Sequence, residues 1–149
     1  MKIALIAHLL AAVIWVGGMF FAHMALRPAA MELDPPLRLK LMARTLGLFF
    51  NWVWLSIIVL LGTGLFMIGL MGGFSAMPLY IVVMFVVGVI MMLVFAHIYF
   101  VPFKRLKTAL SNSETKTAGA AMNQIRLLVT VNLCLGLLTI VVAKGLQSF

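Results

Sequence analysis

Three histidines lie within long hydrophobic stretches of the chain, where an ionisable side chain is costly and marks a candidate functional site. His8 and His23 belong to the first stretch, and His97 lies near the end of the third. Imidazole is a common ligand of both haem iron and copper. The helical rise separates His8 from His23 by about 22 Å, so these two rings cannot share one metal ion.

The hydrophobic stretches have the length of membrane-spanning helices. Of the 149 residues 65% are hydrophobic, and they cluster at roughly 3–26, 46–71, 78–103 and 120–143. Each cluster reaches the ~20 residues that an α-helix needs to cross the hydrocarbon core. The sequence therefore predicts an all-α integral membrane protein, with a single transmembrane domain over 1–149. The short connections favour an up-down-up-down four-helix bundle.

The positive charges predict how the spans are oriented. A net charge of +8 is compatible with nucleic-acid binding, but the charges are concentrated on one side of the membrane, which argues against it. Lys2 and Lys144 fall on the other side, and this asymmetry is typical of loops that face the cytoplasm. We expect a multi-pass protein of the bacterial inner membrane, with both termini outside and the lipid bilayer as its partner. The charges on the loop side are Arg27, Arg38, Lys40, Arg44, Lys104, Arg105, Lys107, Lys116 and Arg126.

Helical geometry places three further side chains with His8 on one face of the first span. At 100° per residue, Trp15 and Met19 each lie about 20° from His8, and His23 lies about 60° away. These four residues are expected to form a stripe that faces the protein interior.

His23 and His97 are predicted to lie at the same depth. Both fall about 10–12 Å from the middle of their spans, on the cytoplasmic side, by the helical rise. On diagonal helices of a bundle, two such rings are arranged like the axial ligands of a b-type haem. Bis-histidine ligation leaves no open iron position and therefore favours electron transfer. The cations nearest to this level, which suit haem propionates, are Arg27, Arg44 and Arg126.

Copper is the alternative ligand. Met67 and Met84 are expected near the depth of His8, and a thioether combined with an imidazole is a soft ligand set that suits Cu(I). Methionines in apolar helices are nevertheless most often packing residues. A third interpretation is a structural accessory subunit, in which all three imidazoles only pack against neighbouring helices.

The number and positions of the acidic residues argue against a hydrolase. Glu32, Asp34 and Glu114 are the only carboxylates, and all three fall in predicted loops. No carboxylate pair, phosphate-binding loop or nucleophile with a base is present. If the protein is an enzyme, we expect a haem-dependent membrane oxidoreductase.

Three other positions in the spans carry predictions about packing. Asn132 is expected to face the interior, because an unsatisfied amide in lipid is costly. Cys134 is expected to be a small buried residue. Gly69 and Gly73 form a small-xxx-small pair, which favours close helix packing or a homodimer.

The first span also resembles a known family. His8 precedes Trp15 by seven residues, Gly17 and Gly18 follow, and the span ends with Leu-Arg-Pro-Ala-Ala at 26–30. This pattern resembles the copper-resistance protein D (CopD) family of bacterial inner-membrane proteins. More distantly, it is similar to the HemJ-type membrane protoporphyrinogen oxidases, four-span proteins that bind haem b.

The two resemblances imply different functions. The first implies copper handling or movement across the inner membrane, with His8 as the matching residue. The second implies haem b and electrons passing to the respiratory chain, again with His8 matching. The chain departs from the oxidase pattern after Gly18, where His23 and Arg27-Pro28 replace the expected aromatic-proline-arginine run. Taken together, the sequence predicts a haem b protein that passes electrons to a quinone or another redox protein, with copper binding or transport as the alternative.

Overall fold

The computed structural model describes residues 1–145, and the regular elements within them are all helical. Residues 146–149 of the predicted domain lie outside the described residues. The elements are α1 (Lys2–Phe21), a π-helical turn (Ala22–Leu26), α2 (Arg27–Ala30), α3 (Pro35–Leu70), a 3-10 turn (Phe74–Ala76), α4 (Leu79–Phe100), α5 (Pro102–Ser111) and α6 (Thr115–Gly145).

Four helical segments are long and apolar enough to cross a membrane: Lys2–Ala30, Pro35–Leu70, Leu79–Ser111 and Thr115–Gly145. Their outer surfaces carry exposed aliphatic side chains, among them Ile3, Val13, Ile58, Leu93 and Val141. A surface this apolar is stable against hydrocarbon and costly in water. The predicted all-α multi-pass membrane protein is therefore confirmed.

Prolines determine where several helices begin or change direction. Pro35 begins α3, and Asp34 occupies the N-cap position, although its side chain makes no capping hydrogen bond. Pro102 separates α5 from α4 at Val101, because a proline cannot bond to the preceding turn and its ring collides with it.

Pro28 has a comparable effect at the end of the first span. It lacks the N–H group that would bond to the preceding turn, and the helix widens immediately before it. The Arg27 N–H donates to the carbonyl of Ala22, which is the wider π-helical pattern. The π-helical turn contains His23.

The contacts between α1 and α3 show that these two helices run antiparallel. His8 lies against Gly64, whereas Gly18, further along α1, lies against the ring of Phe49. Positions therefore ascend along α1 as they descend along α3. α6 packs on both α4 and α5, and it also contacts α1 and α3.

An aromatic cluster fills the centre of the bundle. The Phe50 ring lies 5.2 Å from that of Phe95 and 4.8 Å from that of Phe103, both in edge-to-face geometry. The ring centroid of Trp15 in α1 lies 6.1 Å from that of Phe95, and the ring centroid of Trp54 in α3 lies 5.2 Å from that of Phe95. Because large rings bridge α3 and α4, these two helices are held together by side chains rather than by close backbone contact.

Close helix packing occurs at Gly136 rather than at the predicted pair in α3 and the following turn. A Cβ atom at Gly136 would lie 2.8 Å from Val16 Cγ2 and 3.1 Å from Met91 Cε. No atom lies within 4 Å of the Cβ position at Gly69 or Gly73. Gly73 instead has a φ of 87°, so it is required by the turn after α3. The packing prediction for the Gly69 and Gly73 pair is wrong for this reason.

We expect Gly136→Ala to destabilise the protein by about 1–3 kcal/mol, because the new methyl group must displace the branched Val16 side chain. Gly119→Ala is the matched control in the same helix, since nothing lies within 4 Å of its Cβ position. Thermal unfolding in detergent, followed by tryptophan fluorescence, measures both. Equal stability of the two variants would contradict the close contact between α1, α4 and α6.

Candidate functional site

His8 is held by a threonine of the neighbouring span. Its Nδ1 lies 2.8 Å from Thr63 Oγ1, between α1 and α3. One edge of the ring rests on Gly64, where a Cβ atom would be 3.5 Å from His8 Cε1. A methyl group at Gly64 would therefore be in ordinary van der Waals contact with the imidazole.

The hydrogen bonds of Thr63 determine which nitrogen of His8 carries the proton. Thr63 Oγ1 donates its single proton to the Val59 carbonyl at 2.6 Å. Its oxygen is then available only as an acceptor, so His8 Nδ1–H must be the donor. The neutral imidazole consequently has its lone pair on Nε2, as a metal-binding histidine does.

His23 is held in the same way at the other end of the first span. Its Nδ1 lies 3.5 Å from Thr130 Oγ1 of α6, a longer and weaker contact than that of His8. Thr130 Oγ1 donates to the Arg126 carbonyl at 2.8 Å, so this hydroxyl also can only accept from the ring. We call His8 and His23 threonine-backed histidines, meaning that each directs Nδ1–H to such a hydroxyl.

The predicted inward-facing stripe of α1 is confirmed. Trp15 and Met19 are each 2% exposed, and the two threonine-backed histidines are partly buried against neighbouring helices. The two threonines were missed in the sequence. Thr63 could have been found, because it is flanked by two glycines in an apolar span and a hydroxyl there needs a partner.

His97 differs from the other two histidines because it is exposed on the outer surface of α4. Phe95 and Ile98, its neighbours on the same helix, are 2% and 1% exposed and take the positions that face the core. A haem held between His23 and His97 requires both rings to point inward. The structure does not bring these rings together, so it does not support the predicted bis-histidine pair.

The arginines predicted to bind haem propionates are dispersed. Arg27 is partly buried at the start of α2, whereas Arg44 on α3 and Arg126 on α6 are exposed. Arg126 is linked to His23 through its backbone, because its carbonyl accepts a hydrogen bond from Thr130, which faces His23. This link does not involve the arginine side chain, so it does not indicate a site for a haem propionate.

Asn132 faces the interior, as predicted, and is 1% exposed. Its Nδ2 donates to the Met91 carbonyl at 3.3 Å, and its Oδ1 is buried without a hydrogen-bond partner. It lines a cavity of about 20 Å³ together with Trp15 and Met19. This volume is about that of one water molecule, and the accessible lining of the cavity is apolar.

The prediction for Cys134 is wrong, because this residue is exposed. Asn132 and Leu133 take the inward positions of this turn of α6, which leaves Cys134 directed outward. Within residues 1–145 no three His, Cys, Asp or Glu side chains form a group that could hold a metal ion. Any metal bound by the histidines therefore needs methionine sulfur or another donor.

The fold and the histidines together define a polytopic all-α membrane protein whose first span carries two threonine-backed imidazoles. Residues 43–146 match the family model described as Copper resistance protein D, and the chain belongs to this family. It is thus a membrane protein related to copper resistance. Comparisons with curated proteins and with solved structures give no match. The likeness to HemJ-type oxidases receives no support from these comparisons.

The different surroundings of the histidines predict different costs of replacing them. His97→Leu is expected to leave stability unchanged or to raise it, because it removes an imidazole from an apolar surface. His8→Leu is expected to cost about 1 kcal/mol, since it deletes the hydrogen bond to Thr63 within the membrane. Thermal unfolding in lipid nanodiscs measures both variants. A larger loss in His97→Leu than in His8→Leu would contradict these assignments.

Proposed function

We propose that this protein binds Cu(I) and moves it across the bacterial inner membrane, with His8 Nε2 as a ligand near the outer surface. The observation that carries the proposal is the hydrogen bond between His8 and Thr63, which leaves Nε2 unprotonated. A hydrogen bond of this kind at the other ring nitrogen is typical of histidines that bind metals. Copper is the cargo in this proposal.

The orientation of the bundle supports an outer location for His8. We infer an up-down-up-down arrangement with both termini outside, from the opposite register of α1 and α3 and from the positive charges of the loops. His8 then lies about two turns inside the outer end of α1. An ion arriving from the periplasm would meet this imidazole early in its path.

Methionines supply the second ligand in this proposal. Met67 follows Thr63 by one helical turn and therefore lies on the same face of α3. By the helical rise Met67 lies about 20 Å outward from Trp54, and Met84 lies about 16 Å outward from Phe95. Because Trp54 contacts Phe95, these two thioethers lie at similar depths. Imidazole and thioether together favour Cu(I) over harder cations.

Haem-based electron transfer is less well supported than copper handling. Its predicted ligand His97 is on the outer surface, and the matching family is named for copper resistance. Quinone, redox-protein and homodimer partners stay predictions, as does the location in the inner membrane.

The proposal predicts that purified protein retains Cu(I) and that His8→Ala releases copper held at the outer end. The measurement is an anaerobic titration of the protein in nanodiscs against a coloured Cu(I) chelator. His97→Ala is the matched control, because it removes an imidazole without a threonine partner, and it is expected to bind like the wild type. Wild-type protein that retains no Cu(I) would overturn the proposed function.

Thr63→Val tests the role of the hydroxyl with little change in shape. We expect the affinity for Cu(I) to fall about 10–100-fold, because the ring loses the partner that fixes its tautomer and orientation. Thr139→Val is the control, since within residues 1–145 this hydroxyl also donates to a backbone carbonyl of its own helix and makes no hydrogen bond to a histidine. An equal loss of affinity in both variants would show that the effect is not specific to His8.

A further inference from the structure

The arrangement around His8 is repeated at the opposite end of the first span. In both places Nδ1 of a histidine on α1 faces a threonine hydroxyl on a neighbouring helix. In both, that hydroxyl donates its proton to the carbonyl four residues earlier, at 2.6 Å for Thr63 and 2.8 Å for Thr130. In a neutral His23 that directs Nδ1–H to Thr130, the lone pair is on Nε2.

The backbone around His23 departs from a regular α-helix, which a residue with only a packing role does not require. His23 lies in the π-helical turn Ala22–Leu26, which Pro28 produces. Such turns insert one extra residue into a helix and occur frequently at functional sites. The wider turn changes the direction in which the His23 side chain points from α1. The ring of His23 contacts Thr130 on α6.

A buried thioether precedes His23 by one turn of α1. Met19 precedes His23 by four residues, so the two side chains are neighbours on one helix face. Met19 is 2% exposed and lines the cavity of about 20 Å³ that Asn132 also lines. The buried Oδ1 of Asn132 has no partner. An orphaned buried acceptor is costly, and this one lies on α6, two residues beyond the Thr130 that faces His23.

We propose a second site for a soft monovalent cation, formed by His23 Nε2 and the Met19 thioether, in the cytoplasmic half of the bundle. It rests on the proposed function, because it assigns the inner end of the path that begins at His8. The two imidazoles are about 22 Å apart along α1, so they bind two separate ions. One chain would thus hold one ion near each surface of the membrane.

The test is to count Ag(I) ions, a redox-inert substitute for Cu(I), that the full chain retains in nanodiscs after dialysis. We expect two per chain in the wild type, one in His8→Ala and one in His23→Ala. His97→Ala is the control and should retain two. The metal content is measured by mass spectrometry against protein concentration.

Failure of this inference is distinguishable from failure of the proposed function. A wild type that retains one Ag(I), lost in His8→Ala and kept in His23→Ala, overturns the inner site alone. A wild type that retains none overturns both proposals. Two ions retained by His23→Ala would likewise overturn the inner site.

Two conservative variants keep the test decisive if His23→Ala folds poorly. Met19→Leu preserves the buried volume and removes the sulfur, so the inner ion should be lost while the outer ion remains. Thr130→Val preserves the shape and removes the hydrogen-bond acceptor, and we expect the affinity of the inner ion to fall about 10–100-fold. Unchanged retention and affinity of the inner ion in both variants would overturn the assignment.

Discussion

Hydrocarbon offers no water to complete a hydrogen bond, so a polar side chain within a span must find its partner in the protein. This constraint organises the polar residues of the bundle. The hydroxyls of Thr63 and Thr130 each donate their single proton to a backbone carbonyl of their own helix. Each hydroxyl oxygen can then only accept a hydrogen bond from another helix. The imidazoles of His8 and His23 supply the missing donors, which fixes both their tautomers and their orientation. The need for hydrogen-bond partners in hydrocarbon thereby leaves the Nε2 lone pairs of His8 and His23 available inside the membrane.

The sequence predicts the helices well and their faces less well, for a physical reason. The length of an apolar run and the positions of prolines depend on local properties, so Asp34-Pro35 correctly predicts the start of α3. The direction of a side chain depends on which neighbours surround the helix. α4 is apolar on all sides, because lipid and core are both apolar, and the pattern therefore does not indicate whether His97 faces inward. In α1, the spacing of Trp15 and Met19 resolved this ambiguity.

The family match and the candidate site draw on different parts of the chain. The match begins at residue 43, after the segment that contains His8 and His23. Thr63 and Thr130, which accept from these histidines, lie within it. The helices α3 and α6 thus provide the acceptors, and α1 provides the imidazoles that dock onto them. The resemblance noted in the first span and the match over 43–146 point to the same family from separate residues.

The contact at Gly136 has a consequence for how the bundle can move. The side chains of Val16 in α1 and Met91 in α4 both contact α6 at this point, where the missing side chain of Gly136 leaves room for them. If α1 rocked against α6, this contact near the middle of the membrane would have to separate, and its tight packing would be lost. At this level the three helices are therefore expected to move as one unit, with motion confined to the rotation of side chains.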